Sequence, residues 1–190
     1  MPSMQEFNRL PDEAARQALR RCCSARRWID AVAAGRPYPD LAALLAASDS
    51  AAGALCEADL REALAGHPRI GEQREPAGWS GQEQAGVCGA GADLRRALAD
   101  GNAVYEQRFG HIYLACATGR DGAELLAFLR SRLGNDHETE WGVVASELAK
   151  INHIRLRKLL DGVSVEAVPG SAGPPADPGT ATGSRAASRA

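Results

Sequence analysis

His67, Glu83 and Arg155 are the side chains of this 190-residue chain whose types and surroundings best suit chemistry. His67 stands between Gly66 and Pro68. The glycine can end a preceding helix, and the proline drives His67 toward extended backbone. An imidazole held on such a stiff turn, with a pKa near neutrality, suits proton transfer. Local sequence alone favours a plainer role, that of a surface or capping histidine. Glu83 is the third residue after Ser80, and Ser-x-x-Glu is the spacing of a capping box, which accounts for it fully. The same helix start would also offer backbone N–H groups to an anion or a carbonyl oxygen, with Gln84 adding a neutral donor and acceptor.

Arg155 is the most telling. At ~100° per residue, Trp141, Val144, Leu148, Ile151 and Leu159 share one stripe about 80° wide, and Arg155 falls in its middle. Lys150, Arg157 and Lys158 lie on other faces. A guanidinium on a core face needs a partner, because an unpaired buried charge is costly. Two readings stand level: a structural ion pair or a snorkelling side chain, and a clamp on an anionic substrate through the bidentate fork.

Other chemistry is weakly supported. His137 lies near a helix start and His153 faces away from the stripe. There is no H-E-x-x-H, P-loop or G-x-G-x-x-G. The cysteines (22, 23, 56, 88 and 116) are odd in number, include an adjacent pair and form no C-x-x-C. They read as reduced thiols of a cytoplasmic protein, without structural zinc.

The elements that must position these groups are helical nearly throughout. A first helix is expected from about Pro11, continuing through Leu19, Cys22, Trp28 and Val32 with a break near Ser24, and stopped by Gly35 and Pro37. Asp40 can cap a short helix carrying Leu41, Leu44 and Leu45. Cys56, Leu60 and Leu64 mark another, ended by Gly66. A loop then runs from His67 to Pro76. Ser80 opens the next helix, and a glycine-rich kink at Gly89 and Gly91 precedes one running to Phe109. His111 to Cys116 has strand-like residues without a strand partner, so an extended connector is expected. Asp121 with Glu124 caps a leucine-rich helix, and the last helix spans about Glu138 to Leu160.

Composition bounds the fold and excludes some partners. Hydrophobic residues make up 45%, much of it alanine, while aromatics are 5%, which favours closely packed helices over a sandwich. The balance of 22 basic and 24 acidic residues gives no field for nucleic acid. No apolar run approaches the ~20 residues of a membrane span, and no secretion signal is visible. Residues 163–190 have no aromatic residue and four of the ten prolines, so a disordered tail is expected there. The expectation is all-α: a compact single-domain multi-helix bundle over 1–162.

The chain resembles the 2-oxo-4-hydroxy-4-carboxy-5-ureidoimidazoline (OHCU) decarboxylases of uric-acid degradation. The resemblance is carried by Phe7-Asn-Arg-Leu-Pro11, Cys22-Cys-Ser24 with Trp28, His67-Pro-Arg-Ile-Gly71, Ser80-Gly-Gln-Glu-Gln84, Tyr105-Glu-Gln-Arg-Phe-Gly110, and Glu147-Leu-Ala-Lys-Ile151 followed by Arg155-Leu156. These pieces come in the family's order over about 5–160. Each is modest alone, and the ordered set is specific. Where the family usually carries a phenylalanine-rich stretch, this chain reads His111-Ile-Tyr-Leu-Ala115. Contacts made through backbone would survive that change.

The resemblance implies an all-α, cofactor-free enzyme, usually a homodimer, that converts OHCU to (S)-allantoin and carbon dioxide. It places His67, Glu83 and Arg155 at functional positions. It places Pro68, the run Ser80, Gly81, Gln82, Glu83 and Gln84, and the run His111, Ile112, Tyr113, Leu114 and Ala115 in substrate-contacting regions. Two alternatives remain. A non-enzymatic helical interaction module would pair Arg155 with a structural carboxylate and leave no closed pocket between it and His67. An enzyme for another ureide would keep the pocket's polarity and change its contour near His111 and Tyr113.

Overall fold

A computed structural model describes residues 4–71, 79–84 and 91–162. Every regular element among these residues is helical. In chain order they are α1 (Met4–Arg9), α2 (Asp12–Arg20), α3 (Arg26–Ala34), α4 (Leu41–Gly53), α5 (Glu57–Leu64), α6 (Trp79–Glu83), α7 (Ala92–Phe109), α8 (Gly122–Arg132) and α9 (His137–Gly162). The expected tail at 163–190, the glycine kink at Gly89 and the loop beyond Gly71 lie outside the described residues.

The punctuation read from sequence acts where side-chain oxygens can reach free amides. Asp40 accepts from the Ala43 N–H at 2.8 Å. Asp121 and Glu124 form a reciprocal box, each accepting the other's backbone N–H at 2.8 Å. Gly110 ends α7 with φ +71°, a left-handed conformation that favours glycine. Two elements differ from expectation. The chain enters its first helix at Met4, before Pro11, and buries Phe7. Ser80 is not a cap: it lies inside α6, after Trp79.

The helices enclose two cores. The first gathers Leu19, Trp28, Val32, Leu44 and Leu60 with Val144, Leu148, Ile151 and Leu159 of α9. The second gathers Leu98, Tyr105 and Phe109 of α7 with Leu125 and Leu129 of α8. The extended connector after Gly110 runs between them. Its side chains alternate, as extended backbone dictates: Leu114 and Cys116 enter the first core, while Tyr113, Ala115 and Ala117 enter the second. A segment with strand-like residues and no strand partner thus welds two helical layers.

Buried polar groups hold that connector in place. Arg132, almost fully buried, donates to the Leu114 carbonyl and to Glu140, which also accepts the Tyr105 hydroxyl. Glu147 of α9 is 2% exposed, and its Oε2 accepts from the Cys116 N–H at 2.9 Å and from Arg120 at 3.1 Å.

Candidate active site

His67 sits in the turn that follows α5, its N–H bonded to the Leu64 carbonyl at 3.0 Å. The turn is pinned beyond the histidine. Arg69 grips Glu106 of α7 with two bonds of 2.6 and 2.9 Å. Asn102 donates to the Ile70 carbonyl at 2.9 Å, and the Gly71 N–H reaches Gln84 Oε1 at 3.3 Å. These bonds fix the imidazole without using it, and Nε2 of His67 is buried with no hydrogen-bond partner among the described groups. Burial, assisted by the nearby Arg155 charge, lowers the His67 pKa from 6.5 to about 3. The ring is therefore neutral at physiological pH.

Arg155 arrives from α9 with 5% exposure. Its Nε donates to Glu83 Oε1 at 3.0 Å and its Nη2 to Oε2 at 2.9 Å. Nη2 also reaches Ser80 Oγ at 3.2 Å, and Nη1 reaches the Cys22 carbonyl at 3.2 Å. Glu83 thus gives its side chain to Arg155, with Lys158 Nζ 3.9 Å from its Oε1, and not to a cap at Ser80. The pair satisfies the electrostatic need of a charge on a core face. It also leaves Arg155 one unused N–H, by count of its five donors.

His67, Glu83 and Arg155 line one partly enclosed cavity with about 340 Å³ of empty space, its mouth included. Pro68, Ser80, Gln84, Leu114 and Ala115 line it too. The other residues expected to touch a ligand lie elsewhere. Gln82 is exposed. His111 and Ile112 line a separate cleft beside Arg61, where His111 stacks on Trp141 at 4.2 Å. Tyr113 is buried in the second core with its hydroxyl on the Leu125 carbonyl. Gly81 lies within α6, and its surroundings are outside what the structure describes.

The connector meets the cavity later than expected, through Leu114 to Thr118. Cys116, Ala117, Thr118, Ile70 and Ile151 were not singled out from sequence. Alternation does not find the first two, because Cys116 and Ala117 point to opposite cores while both border the cavity. Within this stretch the Cys116 N–H and the Leu114 carbonyl are taken by Glu147 and Arg132. A ligand held by connector backbone must therefore use its other groups.

The cysteines near the cavity are poor nucleophiles. Burial pushes the Cys22 thiol up to about 12 and the Cys23 thiol up to about 11, and it also raises Cys116. Among the described residues, no three His, Cys, Asp or Glu side chains are grouped to hold a metal ion.

A neutral imidazole, a carboxylate–guanidinium fork and a small mixed-polarity cavity define a helical protein equipped for proton transfer on a compact polar molecule. Comparison with known proteins makes the class specific. Residues 8–157 match the OHCU decarboxylase family model, and the chain belongs to that family. It is 28% identical over 145 residues to the uric acid degradation bifunctional protein TTL of Arabidopsis thaliana, covering 73% of this chain and 45% of the relative. It is 37% identical over 79 residues to the 2-oxo-4-hydroxy-4-carboxy-5-ureidoimidazoline decarboxylase of Mus musculus, covering 42% of this chain and 44% of that protein. The matches thus span less than half the length of these two relatives.

The fold also matches a crystal structure of OHCU decarboxylase in the presence of (S)-allantoin. The TM-score is 0.68 at 26% identity, over 80% of this chain and 99% of the other. A crystal structure of (S)-allantoin synthase shares the fold alone, with TM-score 0.64 at 16% identity, over 84% of this chain and 54% of the other.

Proposed function

We propose that this chain decarboxylates OHCU to (S)-allantoin and carbon dioxide, without a cofactor. The observation that carries the reading is the buried Nε2 of His67, without a hydrogen-bond partner among the described residues, in the same cavity as the Glu83–Arg155 pair. A neutral imidazole can accept a proton; a surface or capping histidine would have its nitrogens in water or on backbone. The interaction-module alternative correctly anticipates a carboxylate on Arg155, but its second requirement, no cavity between Arg155 and His67, is not met.

The substrate supplies its own electron sink. As the bond to the carboxylate carbon breaks, its electron pair passes into the adjacent C=N of the ring, and carbon dioxide departs. The protein must turn the carboxylate out of the ring's π-plane, stabilise the displaced charge and return one proton to one face. His67 takes the proton of the substrate hydroxyl and returns it to the ring carbon, which sets configuration, and a second proton, from solvent, neutralises the ring nitrogen that received the electron pair. Glu83, held by Arg155, accepts the urea-like N–H groups. Arg155 offers its remaining donor, and Ser80 its hydroxyl, to a polar or anionic group. Pro68, Leu114 and Ala115 shape the apolar walls.

The same reading makes the working form a homodimer in the cytoplasm, with neither nucleic acid nor membrane as partner. Its support is the family pattern, the near-even charge and the free thiols of Cys22, Cys23, Cys56 and Cys116. Light scattering on the purified protein tests the dimer.

Activity on freshly generated OHCU, followed by circular dichroism of the allantoin formed, tests the function. Enantiomerically pure product at many turnovers per enzyme is expected. Racemic allantoin appearing at the spontaneous rate overturns the reading. Inertness toward OHCU with turnover of another ureide would assign the scaffold to a different substrate.

A further inference from the structure

A second cleft opens on the other side of Arg155, and the proposed reaction gives it no role. It holds about 710 Å³ of empty space, its open mouth included, and Arg20, Arg21, Ser24 and Trp79 line it. Ser80 and Arg155 line this cleft and the reaction cavity alike, so these two side chains form the partition between them.

Among the described residues, the charges along this cleft do not cancel. Arg155 is matched by Glu83, and Arg20 by Glu13 at 2.8 Å. Arg21 has no carboxylate within ion-pair distance among the described residues. Its guanidinium lies 4.7 Å from the centroid of the Trp79 ring, a contact that orients the fork without neutralising it. The wall that carries Arg21 is fixed, because the next residue, Cys22, gives its carbonyl to Arg155 and its N–H to Leu19.

We propose that this cleft is an anion-receiving vestibule of the reaction cavity, where Arg21 engages the carboxylate of an incoming small ureide before the ligand reaches His67. The assignment of that ligand rests on the decarboxylase reading. The chemistry fits a monoanionic carboxylate. Arg155 has little donor capacity left for the approach, whereas Arg21 presents a complete fork to solvent. An exposed cation acts mainly on encounter and capture, and its influence is screened by salt.

Two measurements test this. The first is steady-state turnover of OHCU by wild type, Arg21→Gln, Arg21→Glu and Arg26→Gln. The last removes a charge that pairs with Glu62 away from the cleft. Arg21→Gln should lower kcat/KM by about threefold to tenfold, mostly through KM, and flatten its dependence on ionic strength. Arg21→Glu should lower it further, and Arg26→Gln should leave it unchanged. An Arg21→Gln enzyme with wild-type kcat/KM and salt dependence overturns the vestibule, as does a loss no greater than that of Arg26→Gln.

The second is calorimetric titration with allantoate, a stable ureide carboxylate, and with neutral allantoin. Allantoate should bind wild type more tightly than Arg21→Gln, and allantoin should bind both alike. Absent allantoate binding, or equal binding to both proteins, overturns the vestibule whatever the turnover. If wild type is inert toward OHCU while allantoate still depends on Arg21, the reaction falls and the vestibule stands.

Discussion

Arg155 and Glu83, 72 positions apart in the chain, meet through two near-parallel bonds of 3.0 and 2.9 Å inside the protein. The arginine that sequence suggested as a substrate clamp is thus largely engaged by the carboxylate expected to work beside it. The two act as one unit, so their replacement should be non-additive. Arg155→Met leaves the buried Glu83 carboxylate with only Lys158, 3.9 Å away, as a counter-charge and should cost up to about 3 kcal/mol of stability. Glu83→Met should cost a similar amount for the converse reason. The double variant should lose clearly less than the sum, and denaturant unfolding of all four proteins measures the difference. Additive losses would mean that the pair is not coupled. Arg155→Lys restores charge without the fork, so it should recover part of the stability while kcat/KM stays low.

The neutral state of His67 has a pH signature in both stability and rate. Its folded pKa lies below its ordinary value, at about 3 against 6.5. Between these values the unfolded chain binds the proton and the folded chain does not. Stability contributed by His67 is therefore fully present above about 6.5 and is lost as pH falls toward 3. His67→Gln should remove this component, giving a shallower decline of unfolding free energy across that window. The same variant should retain its helical circular dichroism and lose stereoselective allantoin formation. In wild type, the acid limb of kcat/KM should lie well below 6.5. An acid limb centred at 6.5 would show an exposed, ordinary imidazole.

What sequence made legible divides by the range of the interactions. Caps at Asp40 and Asp121 are local, because donor and acceptor lie three residues apart, and they were read correctly. Periodicity placed Arg155 on the core face because the last helix is long enough to define a stripe. The Ser-x-x-Glu spacing describes a local cap, whereas in the fold the Glu83 carboxylate is taken by a guanidinium 72 positions away on α9. The connector was expected to touch the ligand through 111–115, whereas the cavity meets 114–118. Sequence gave its extended character but not its position between the two cores. That position is set by Arg132 and Glu147, whose bonds to the connector span 18 and 31 positions of the chain.

Glu147 therefore warrants its own test. Burial pushes its pKa up, but Lys150, the Cys116 N–H and Arg120 outweigh burial, and the net shift is downward. The stability it contributes is present above its ordinary value of 4.5 and is lost as pH falls below it. Glu147→Ala leaves the Cys116 N–H buried and unpaired, at a cost of about 1–3 kcal/mol. Arg120 and Lys150 are exposed enough to turn to water. Glu147→Gln keeps an acceptor for that N–H, so it should be milder in thermal unfolding. If the alanine and glutamine variants unfold at the same temperature, the bond to the connector is not what Glu147 contributes.

The approach of Gly66 to Ser24 offers a way to move the histidine without touching it. A Cβ built at Gly66 would collide with the Ser24 hydroxyl, and the Ser24 Cβ would lie 3.1 Å away. Gly66 directly precedes His67, and the turn beyond is clamped by Arg69 and Asn102. Rotation of the Ser24 hydroxyl relieves the closest contact, but the Ser24 Cβ stays at 3.1 Å, so the clamped turn or the 21–25 loop must give by a few tenths of an ångström. Geometry near a reacting atom is steep in rate, about 10²-fold per 1 Å, so a shift of a few tenths of an ångström should lower kcat by about twofold to fivefold. Ser24→Gly in the same chain removes both clashing atoms and should restore most of the rate. Ser24→Gly alone should be close to wild type. The comparison needs only kcat for the four proteins under one set of conditions. A double variant as slow as Gly66→Ala would show that the loss came from the backbone of residue 66 and not from its contact with the loop that carries Arg21 and Cys22.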